Sequence, residues 1–224
     1  LPISLLGGDG NDRFKMAAGS TLNGRIDGGA GSDVLDYGIF QSAVTVNLQN
    51  QTASAVAGFA NLEGFVGSNM VDTLRGADGT NTWTMTGADS GSVNTIQFGS
   101  FENWVGGTGA DSFKLSSNGG VFGVIDGGAG VNTLDYSAFT TGVTVDLSVG
   151  SAGGVRSGVA NIANVIGGSA GDTLTGDARD NLLFGNAGND VINGGNGGDD
   201  VLVGGAGNDA LTGSSGRNLL IGGL

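Results

Sequence analysis

Short apolar segments separated by glycine-rich turns are the dominant pattern of the chain, and the pattern is most regular from residue 167 to residue 224. There the sequence divides into six consecutive units of nine residues, one of them, Gly194–Val203, carrying a single extra residue. Each unit ends in a short strand whose middle side chain should point inward. These inward residues are Leu174, Leu183, Ile192, Leu202, Leu211 and Leu220. A tandem period of this kind predicts a solenoid of stacked coils.

Segments outside this array are also strand-like. Val44–Leu48, Val56–Val66, Thr82–Thr86 and Val93–Phe98 are rich in β-branched residues or alternate between apolar and polar positions. No helical period is present in the chain. The large aromatic side chains at or near inward positions should fill the core, and they are Phe65, Trp83, Trp104 and Phe113. The pattern therefore predicts an all-β protein.

A longer repeat is superimposed on the short one. The unit Gly7–Lys15 (GGDGNDRFK) returns as Gly106–Lys114 (GGTGADSFK), and similar matches follow. We therefore expect two tandem modules, residues 5–104 and 105–204, within one continuous structure.

The sixth position of the units is the candidate for chemistry. The best unit, Gly204–Thr212, has glycine at its first, second and fourth positions and aspartate at its sixth. Units eighteen residues apart should stack, so turn carbonyls and acids from two coils would form an all-oxygen cage suited to Ca²⁺. The predicted metal ligands are Asp12, Asp33, Asp72, Asp111, Asp172, Asp190, Asp200 and Asp209. The favoured pairs are Asp172/Asp190, Asp190/Asp209 and Asp12/Asp33. Neutral residues hold the sixth position at Asn132, Asn181 and Asn218, where we expect weaker binding or amide hydrogen bonds.

The nonapeptide array resembles RTX repeats, the calcium-binding parallel β-roll of secreted bacterial proteins. The resemblance implies calcium shared between successive turns and folding outside the cell. The longer repeat is similar to those of giant bacterial surface proteins.

The spacing of the sixth-position residues predicts the size of the coil. From Asp12 to Asp209 these residues recur at intervals of either about 20 or about 40 residues. If each of the longer intervals contains two coils, one period of about 20 residues fits the chain. We therefore predict a single right-handed parallel β-solenoid over residues 1–224, with about eleven coils.

Composition excludes several classes of function. A net charge of −13 with only 8 Lys and Arg residues disfavours nucleic acid and anionic membranes as partners. The absence of histidine and cysteine removes Ser-His and Cys-His nucleophiles, typical zinc sites and disulfides, so a metal is the expected staple. No run approaches eighteen apolar residues, so we expect no membrane insertion.

Paired carboxylates are candidates for a catalytic site, because parallel β-helices often carry polysaccharide hydrolases and lyases. The candidate pairs are Asp33/Asp36, Asp126/Asp135 and Asp199/Asp200. The acids recur from module to module, whereas a catalytic cluster is normally single, so we expect no enzyme activity. Asp36 and Asp135 should point outward, and Asp199 should be the inserted residue of its unit.

The favoured function is a calcium-stiffened spacer or structural segment of a secreted, extracellular or cell-surface bacterial protein. One alternative is a filament or surface-layer subunit that stacks end to end with other copies of itself. Another is an accessory module of a polysaccharide-modifying enzyme or adhesin. The chain opens and closes within the repeat pattern, which suggests an excerpt or a processed subunit of a longer protein.

Overall fold

The computed structural model describes residues 3–223, and this part of the chain contains strands and turns but no helix. The first half of the chain forms β1 (Leu5–Asp9), β2 (Arg13–Lys15), β3 (Leu22–Ala30), β4 (Val34–Asp36), β5 (Thr45–Asn47), β6 (Thr52–Ala53), β7 (Val56–Ala60), β8 (Gly64–Val66), β9 (Thr73–Arg75), β10 (Thr82–Gly87), β11 (Ser90–Val93), β12 (Ile96–Gly99) and β13 (Asn103–Gly107). The second half forms β14 (Ser112–Lys114), β15 (Ile125–Gly128), β16 (Thr133–Asp135), β17 (Thr144–Asp146), β18 (Ser151–Ala152), β19 (Val159–Ala160), β20 (Asn164–Ile166), β21 (Thr173–Thr175), β22 (Leu182–Ala187), β23 (Val191–Asn193), β24 (Val201–Ala206), β25 (Ala210–Thr212) and β26 (Leu219–Gly223).

The strands form three sheets in which most neighbours are parallel. The twelve-stranded sheet has the order β2-β4-β8-β12-β11-β10-β14-β16-β20-β22-β24-β26. The nine-stranded sheet has the order β1-β3-β7-β6-β5-β9-β13-β15-β19, and the five-stranded sheet has the order β18-β17-β21-β23-β25. The chain alternates between the twelve-stranded sheet and one of the other two, as in a β-roll or solenoid. The all-β prediction is therefore confirmed, and no membrane-spanning helix occurs within residues 3–223.

The inward side chains of the nonapeptide array form a continuous core. Leu183 stacks between Val165 and Leu202 in the twelve-stranded sheet, and Leu174 stacks against Ile192 in the five-stranded sheet. All five side chains are fully buried. The glycine-rich turns therefore deliver one aliphatic side chain per half-coil to the interior as far as Leu202, as the sequence pattern predicts. Leu211 is only partly buried, and Leu220 on the last strand is exposed by 42%.

The middle of the chain has a wider, aromatic core. Trp83 stacks between Trp104 and Phe113, with ring centroids 5.8 and 5.6 Å apart. These three side chains and Phe65 are buried, as predicted. Large rings are needed here because the coils are longer than in the nonapeptide array.

The predicted coil length of about 20 residues is wrong outside the nonapeptide stretches. Leu183 lies over Val165 after one short coil, whereas Phe65 lies over Leu35 after a much longer one. The longer intervals between sixth-position residues are therefore not two equal coils. Each contains one long coil and one nine-residue half-turn, which brings the next acid to the opposite edge.

Antiparallel hairpins account for much of the extra length. β6 lies antiparallel to both β5 and β7, β11 lies antiparallel to both β10 and β12, and β18 lies antiparallel to β17. The predicted single strand Val93–Phe98 is wrong, because Val93 pairs with Ile96 across a tight turn. Asn94 in that turn has a φ of 53°, a left-handed conformation that asparagine tolerates better than most residues.

The acids that follow the inward leucines, Asp36 and Asp135, alternate with those leucines along the strand and are nonetheless buried. Arg13 Nε donates to Asp36 Oδ2 at 2.8 Å, and the Ser137 N–H donates to Asp135 Oδ1 at 2.8 Å. Both carboxylates are nearly inaccessible to solvent. Their burial is tolerated because these hydrogen bonds replace the lost hydration of the carboxylates.

Candidate metal site

The sixth-position side chains of the array stack into two columns, one on each edge of the coil. On one edge the Asp172 N–H donates to Asp190 Oδ1 at 2.7 Å, and the Asp190 N–H donates to Asp209 Oδ1 at 3.0 Å. On the other edge Asp200 Oδ1 accepts from the Asn181 N–H at 3.0 Å. Each sixth-position side chain therefore holds the backbone of the coil before it.

The same contact occurs in the first half of the chain. The Asp12 N–H donates to Asp33 Oδ1 at 2.7 Å. The Asn81 N–H donates to Asp111 Oδ1 at 2.7 Å, and the Asp111 N–H donates to Asn132 Oδ1 at 2.9 Å. The structure thus brings together the predicted pair Asp12/Asp33, as it does the two pairs of the array, and it places Asp111 against the neutral Asn132 in the same way.

Two glutamates that the sequence reasoning missed extend these columns. The Asp33 N–H donates to Glu63 Oε2 at 2.8 Å, and the Asp72 N–H donates to Glu102 Oε2 at 2.7 Å. Both glutamates lie outside any nonapeptide unit, so the turn pattern did not mark them. Their common spacing of 30 residues from the preceding aspartate was the available signal.

We call the turn around each sixth-position side chain a corner. The most informative feature of these corners is a buried carboxylate oxygen without a hydrogen bond. In six of the eight predicted residues Oδ2 is inaccessible and receives no hydrogen bond from residues 3–223. The six are Asp12, Asp33, Asp111, Asp190, Asp200 and Asp209. An unsatisfied buried polar group costs about 1–3 kcal/mol, and more when it is charged. Each of these corners therefore needs a positive group or a proton.

A backbone carbonyl lies beside each of the carboxylate oxygens at two corners of the array. A Cβ added to Gly185 would collide with both Asp190 Oδ2 and the Gly204 carbonyl oxygen of the next coil. A Cβ added to Gly204 would collide in the same way with Asp209 Oδ2 and the Gly222 carbonyl. Glycine at the first position is therefore required because two acceptor oxygens occupy the space of a side chain. Two adjacent acceptor oxygens, one of them a carboxylate oxygen without a donor, suit a hard cation.

Asp72 and Asp172 differ from the other six. The Gly168 N–H donates to Asp172 Oδ2 at 2.6 Å, and the Ser68 N–H donates to Asp72 Oδ2. Both oxygens of these two carboxylates are thus satisfied by peptide groups. The eight predicted ligands therefore divide into six with a free acceptor and two without one.

Asn132 shows how a neutral side chain completes a corner. Its Oδ1 accepts from Asp111, and its Nδ2 donates to the Asn161 carbonyl at 2.9 Å. A Cβ added to Gly127 would collide with that same amide nitrogen and carbonyl oxygen. The amide therefore supplies the donor that a carboxylate lacks, and no cation is needed.

Burial raises the pKa of three of the corner acids, Asp111, Asp190 and Asp200. Desolvation raises the pKa of Asp190, the Asp172 N–H opposes this shift, and the charges of Asp172 and Asp209 add to it. Desolvation also raises the pKa of Asp111 and of Asp200, with the Asn81 and Asn181 hydrogen bonds opposing it. The carboxylates are therefore destabilised in their charged form, which a bound cation would reverse.

The fifth-position side chains form a second ladder on the outside of the turns. Asp180 Oδ1 accepts from the Asp199 N–H at 2.8 Å, and Asp199 Oδ1 accepts from the Arg217 N–H at 2.9 Å. Asp199 also pairs with the Arg217 guanidinium at 2.6 Å. Asp199 is therefore a regular ladder residue rather than the inserted one. The extra residue lies in the glycine pair Gly197 and Gly198, with φ of 150° and 81°.

The residues present fit a calcium ion if backbone carbonyl oxygens are among its ligands. Within residues 3–223, no three acidic side chains converge on one point. A cation at a corner would therefore be held by Asp Oδ2 together with turn carbonyls. Calcium accepts such mixed carboxylate and carbonyl ligand sets. Calcium binding by the individual residues stays a prediction.

Four cavities within residues 3–223 have no corner acid in their lining. One, of about 440 Å³, is lined by residues that include Phe122, Val155 and Arg156 on the hairpin segments of the second half. The corner acids are packed within the turns and do not face a pocket of this kind, so the candidate chemistry is ion binding.

Comparison with known families agrees with this geometry. The model of the RTX calcium-binding nonapeptide repeat matches the chain in four copies, over residues 18–40, 166–199 and 195–224. No curated protein matches the chain. The matched ranges contain the corners of Asp33, Asp172, Asp190, Asp200 and Asp209. The chain therefore contains RTX calcium-binding nonapeptide repeats.

Proposed function

We propose that the chain is a non-enzymatic, calcium-binding structural or spacer segment of a secreted or cell-surface bacterial protein, which folds on meeting extracellular calcium. We further propose that its sheets are the faces of one right-handed solenoid over residues 1–224, built from modules 5–104 and 105–204. The occurrence of RTX repeats in secreted bacterial proteins supports this location.

The observation that carries the proposal is the set of six buried Oδ2 atoms without a donor. At Asp190 and Asp209, this oxygen and a carbonyl oxygen of the following coil crowd the same first-position glycine. Both the carboxylate and the carbonyl gain from one positive charge at that point. A nonspecific surface ion would not explain why the oxygens are buried.

The two oxygens of a corner carboxylate have separate tasks. Asp190 Oδ1 accepts a hydrogen bond from the Asp172 N–H of the preceding coil. Asp190 Oδ2 lies on the side of the Gly204 carbonyl of the following coil. Calcium, when bound, supplies the positive charge that these oxygens share. One aspartate therefore links coils on both sides of it, and neighbouring corners should order together.

The energetics are of the right size to control folding. Extracellular calcium modules have Kd values of about 10⁻⁴–10⁻³ M. A site at tenfold excess of calcium over Kd adds about 1.4 kcal/mol of stability. Several such sites together are comparable with the total stability of a domain, about 5–15 kcal/mol.

The non-enzymatic part of the proposal is supported by where the acids lie. Asp33 and Asp200 belong to carboxylate pairs that the sequence offered as catalytic, yet both hold a neighbouring coil through Oδ1. Their partners Asp36 and Asp199 are paired with Arg13 and Arg217. These four carboxylates therefore have structural contacts that account for them.

Calcium titration by calorimetry, with far-UV circular dichroism recorded in parallel, tests the proposal. We expect the wild-type chain to bind calcium and gain β-structure. The double variant Asp190→Asn/Asp209→Asn should lose binding sites. The control Asp9→Asn/Asp78→Asn removes the same charge from positions outside the corner columns and should bind as the wild type does. Equal loss in both variants, or no binding by the wild type, would contradict the proposal.

A further inference from the structure

A cavity of about 440 Å³ lies on the outside of the coil in the second half of the chain, away from the calcium corners. Val121 and Val155 line it, are buried, and form a parallel β-bridge with each other. Phe122 and Arg156, the residues that follow them, line it as well and are exposed. We call this space the Phe122 cavity. Its volume falls within the range of small-molecule sites, about 300–1,000 Å³.

The same framework occurs one module earlier. Leu22 pairs in parallel with Val56, as Val121 pairs with Val155. In both modules the N–H of the first residue donates to the carbonyl oxygen just before its partner, at 2.7 and 2.9 Å. A smaller cavity, of about 260 Å³, lies beside the earlier pair. The two modules therefore build one kind of cavity from equivalent backbone.

The side chains beside the two cavities differ. In the first module, the positions that follow the paired residues hold Asn23 and Ala57. In the second module, the same positions hold Phe122 and Arg156. The backbone framework thus forms with a small amide and a methyl group at these positions, so it does not require an aromatic ring or a cation. The ring and the cation of the second module call for another explanation.

Phe122 and Arg156 are held beside each other. The Arg156 guanidinium carbon lies 5.9 Å from the centroid of the Phe122 ring. The Arg156 N–H donates to the Val121 carbonyl at 2.8 Å, and the Phe122 N–H donates to Asp89 Oδ1 at 2.7 Å. None of the ion pairs formed within residues 3–223 involves Arg156. The cavity therefore combines an aromatic ring with an unpaired cation on a hydrogen-bonded backbone.

The rest of the lining restricts the chemistry of a ligand. Besides glycines, the other side chains that line the cavity are those of Ala88, Val121 and Val155. Arg156 is thus the one charged side chain of the lining, and no side-chain hydroxyl or amide belongs to it. A sugar would leave most of its hydroxyl groups without partners here, at a cost for each group that is buried. An apolar ring can instead pack on Phe122, and one anionic group can pair with the guanidinium.

We propose that the Phe122 cavity binds a small organic anion, with an apolar ring against Phe122 and a carboxylate at Arg156. The anion is recognised locally, because the net charge of −13 repels it at longer range. The cavity of the first module lacks both groups and does not bind the same ligand. This activity is separate from calcium binding, since no corner acid lines the cavity.

Calorimetric titration of the full chain with 2-naphthoate, in millimolar calcium, tests the proposal. Two matched probes separate the parts of the ligand: 2-naphthamide keeps the ring without the charge, and galacturonate keeps a carboxylate without an apolar ring. We expect 2-naphthoate to bind at least about tenfold more tightly than either probe, because a hydrogen bond to a charged group and ring packing are both worth this much.

Two variants place the binding at the cavity. Phe122→Asn/Arg156→Ala installs the side chains that the first module already carries, so the fold should be kept while 2-naphthoate affinity falls at least about tenfold. The control Arg75→Ala removes the same charge from β9, whose side chain does not line this cavity, and should bind as the wild type does. Circular dichroism of each variant establishes that it is folded. If the double variant does not fold, Arg156→Gln gives the same comparison.

Four outcomes overturn the proposal. The wild-type chain does not bind 2-naphthoate at millimolar concentration, or it binds 2-naphthamide equally well, which excludes recognition of the anion. Galacturonate binds as tightly as 2-naphthoate, which excludes the need for an apolar ring. The folded double variant keeps the affinity of the wild type, which places the binding elsewhere on the chain.

Discussion

At the scale of single residues, the choice between carboxylate and amide decides what a corner requires. Asp190 leaves one buried oxygen without a donor, whereas Asn132 donates to the Asn161 carbonyl and completes its own corner. Asp172 is a third case, because the Gly168 N–H satisfies its second oxygen. The three residues hold the same position of the repeat, yet they should respond differently to calcium.

Converting the amide corner to a carboxylate should create a calcium-dependent site. In Asn132→Asp the donor to the Asn161 carbonyl is lost and a second acceptor takes its place. We expect the calcium-free protein to lose about 1–3 kcal/mol of unfolding free energy, the cost of an unsatisfied buried group. Calcium should restore much of this loss. Urea unfolding of wild type and variant in calcium and in chelator measures both effects, and an equal change in the two conditions would contradict the expectation.

The reverse substitution should separate the two kinds of aspartate in the calcium-free protein. Asp190→Asn places an amide beside the Gly204 carbonyl, so calcium-free stability should hold or rise. Asp172→Asn instead removes an acceptor from the Gly168 N–H and should cost about 1 kcal/mol. The comparison is made by thermal unfolding in chelator. Identical losses in the two variants would show that the free oxygen of Asp190 has no energetic significance.

At the scale of the element, the nine-residue half-turn was the feature that the sequence predicted best. Glycine spacing and the inward leucine fix its conformation, and the acid at its sixth position is recognisable without a structure. The hairpins were not predictable to the same degree, since the left-handed turn at Asn94 interrupts a run that has strand composition throughout. Glu63 and Glu102 were missed because their coils reach the same corner through 30 residues of irregular backbone.

The columns of corner acids should give the calcium-free protein an unusual pH dependence. Burial raises the pKa of Asp111, Asp190 and Asp200 in the folded state, so their ionisation favours unfolding at neutral pH. This penalty falls as pH drops through the raised values and is gone below the unfolded value of about 3.9. At Asp36 burial opposes ionisation, but the Gly38 N–H and Arg13 outweigh it and lower the pKa, so its contribution is lost only at still lower pH.

We therefore expect opposite slopes with and without calcium. Without calcium, the urea midpoint should rise as pH is lowered from 7 towards about 4. With calcium, the midpoint should fall over the same range, because protons compete with the ion for the carboxylates. Parallel urea titrations at several pH values measure both slopes. A calcium-free midpoint that falls steadily on acidification would contradict the assignment of the penalty to the corner acids.

At the scale of the whole molecule, the chain passes repeatedly between the twelve-stranded sheet and one of the other two sheets. A thin core, 48 glycines and a net charge of −13 all work against folding. We propose that divalent cations bound at the corner columns offset these costs. Because each aspartate holds one coil and faces another, the sites are not independent, and the array should fold as a unit.

The central claim is that the unpaired carboxylate oxygens of the corners bind calcium and thereby stabilise the fold. The most direct measurement is thermal unfolding by far-UV circular dichroism in millimolar calcium, in magnesium at the same ionic strength, and in chelator. We predict a higher Tm and sharper transition in calcium, with a smaller change in magnesium because that ion demands stricter octahedral geometry. A melting curve that is the same in calcium and in chelator would contradict the claim.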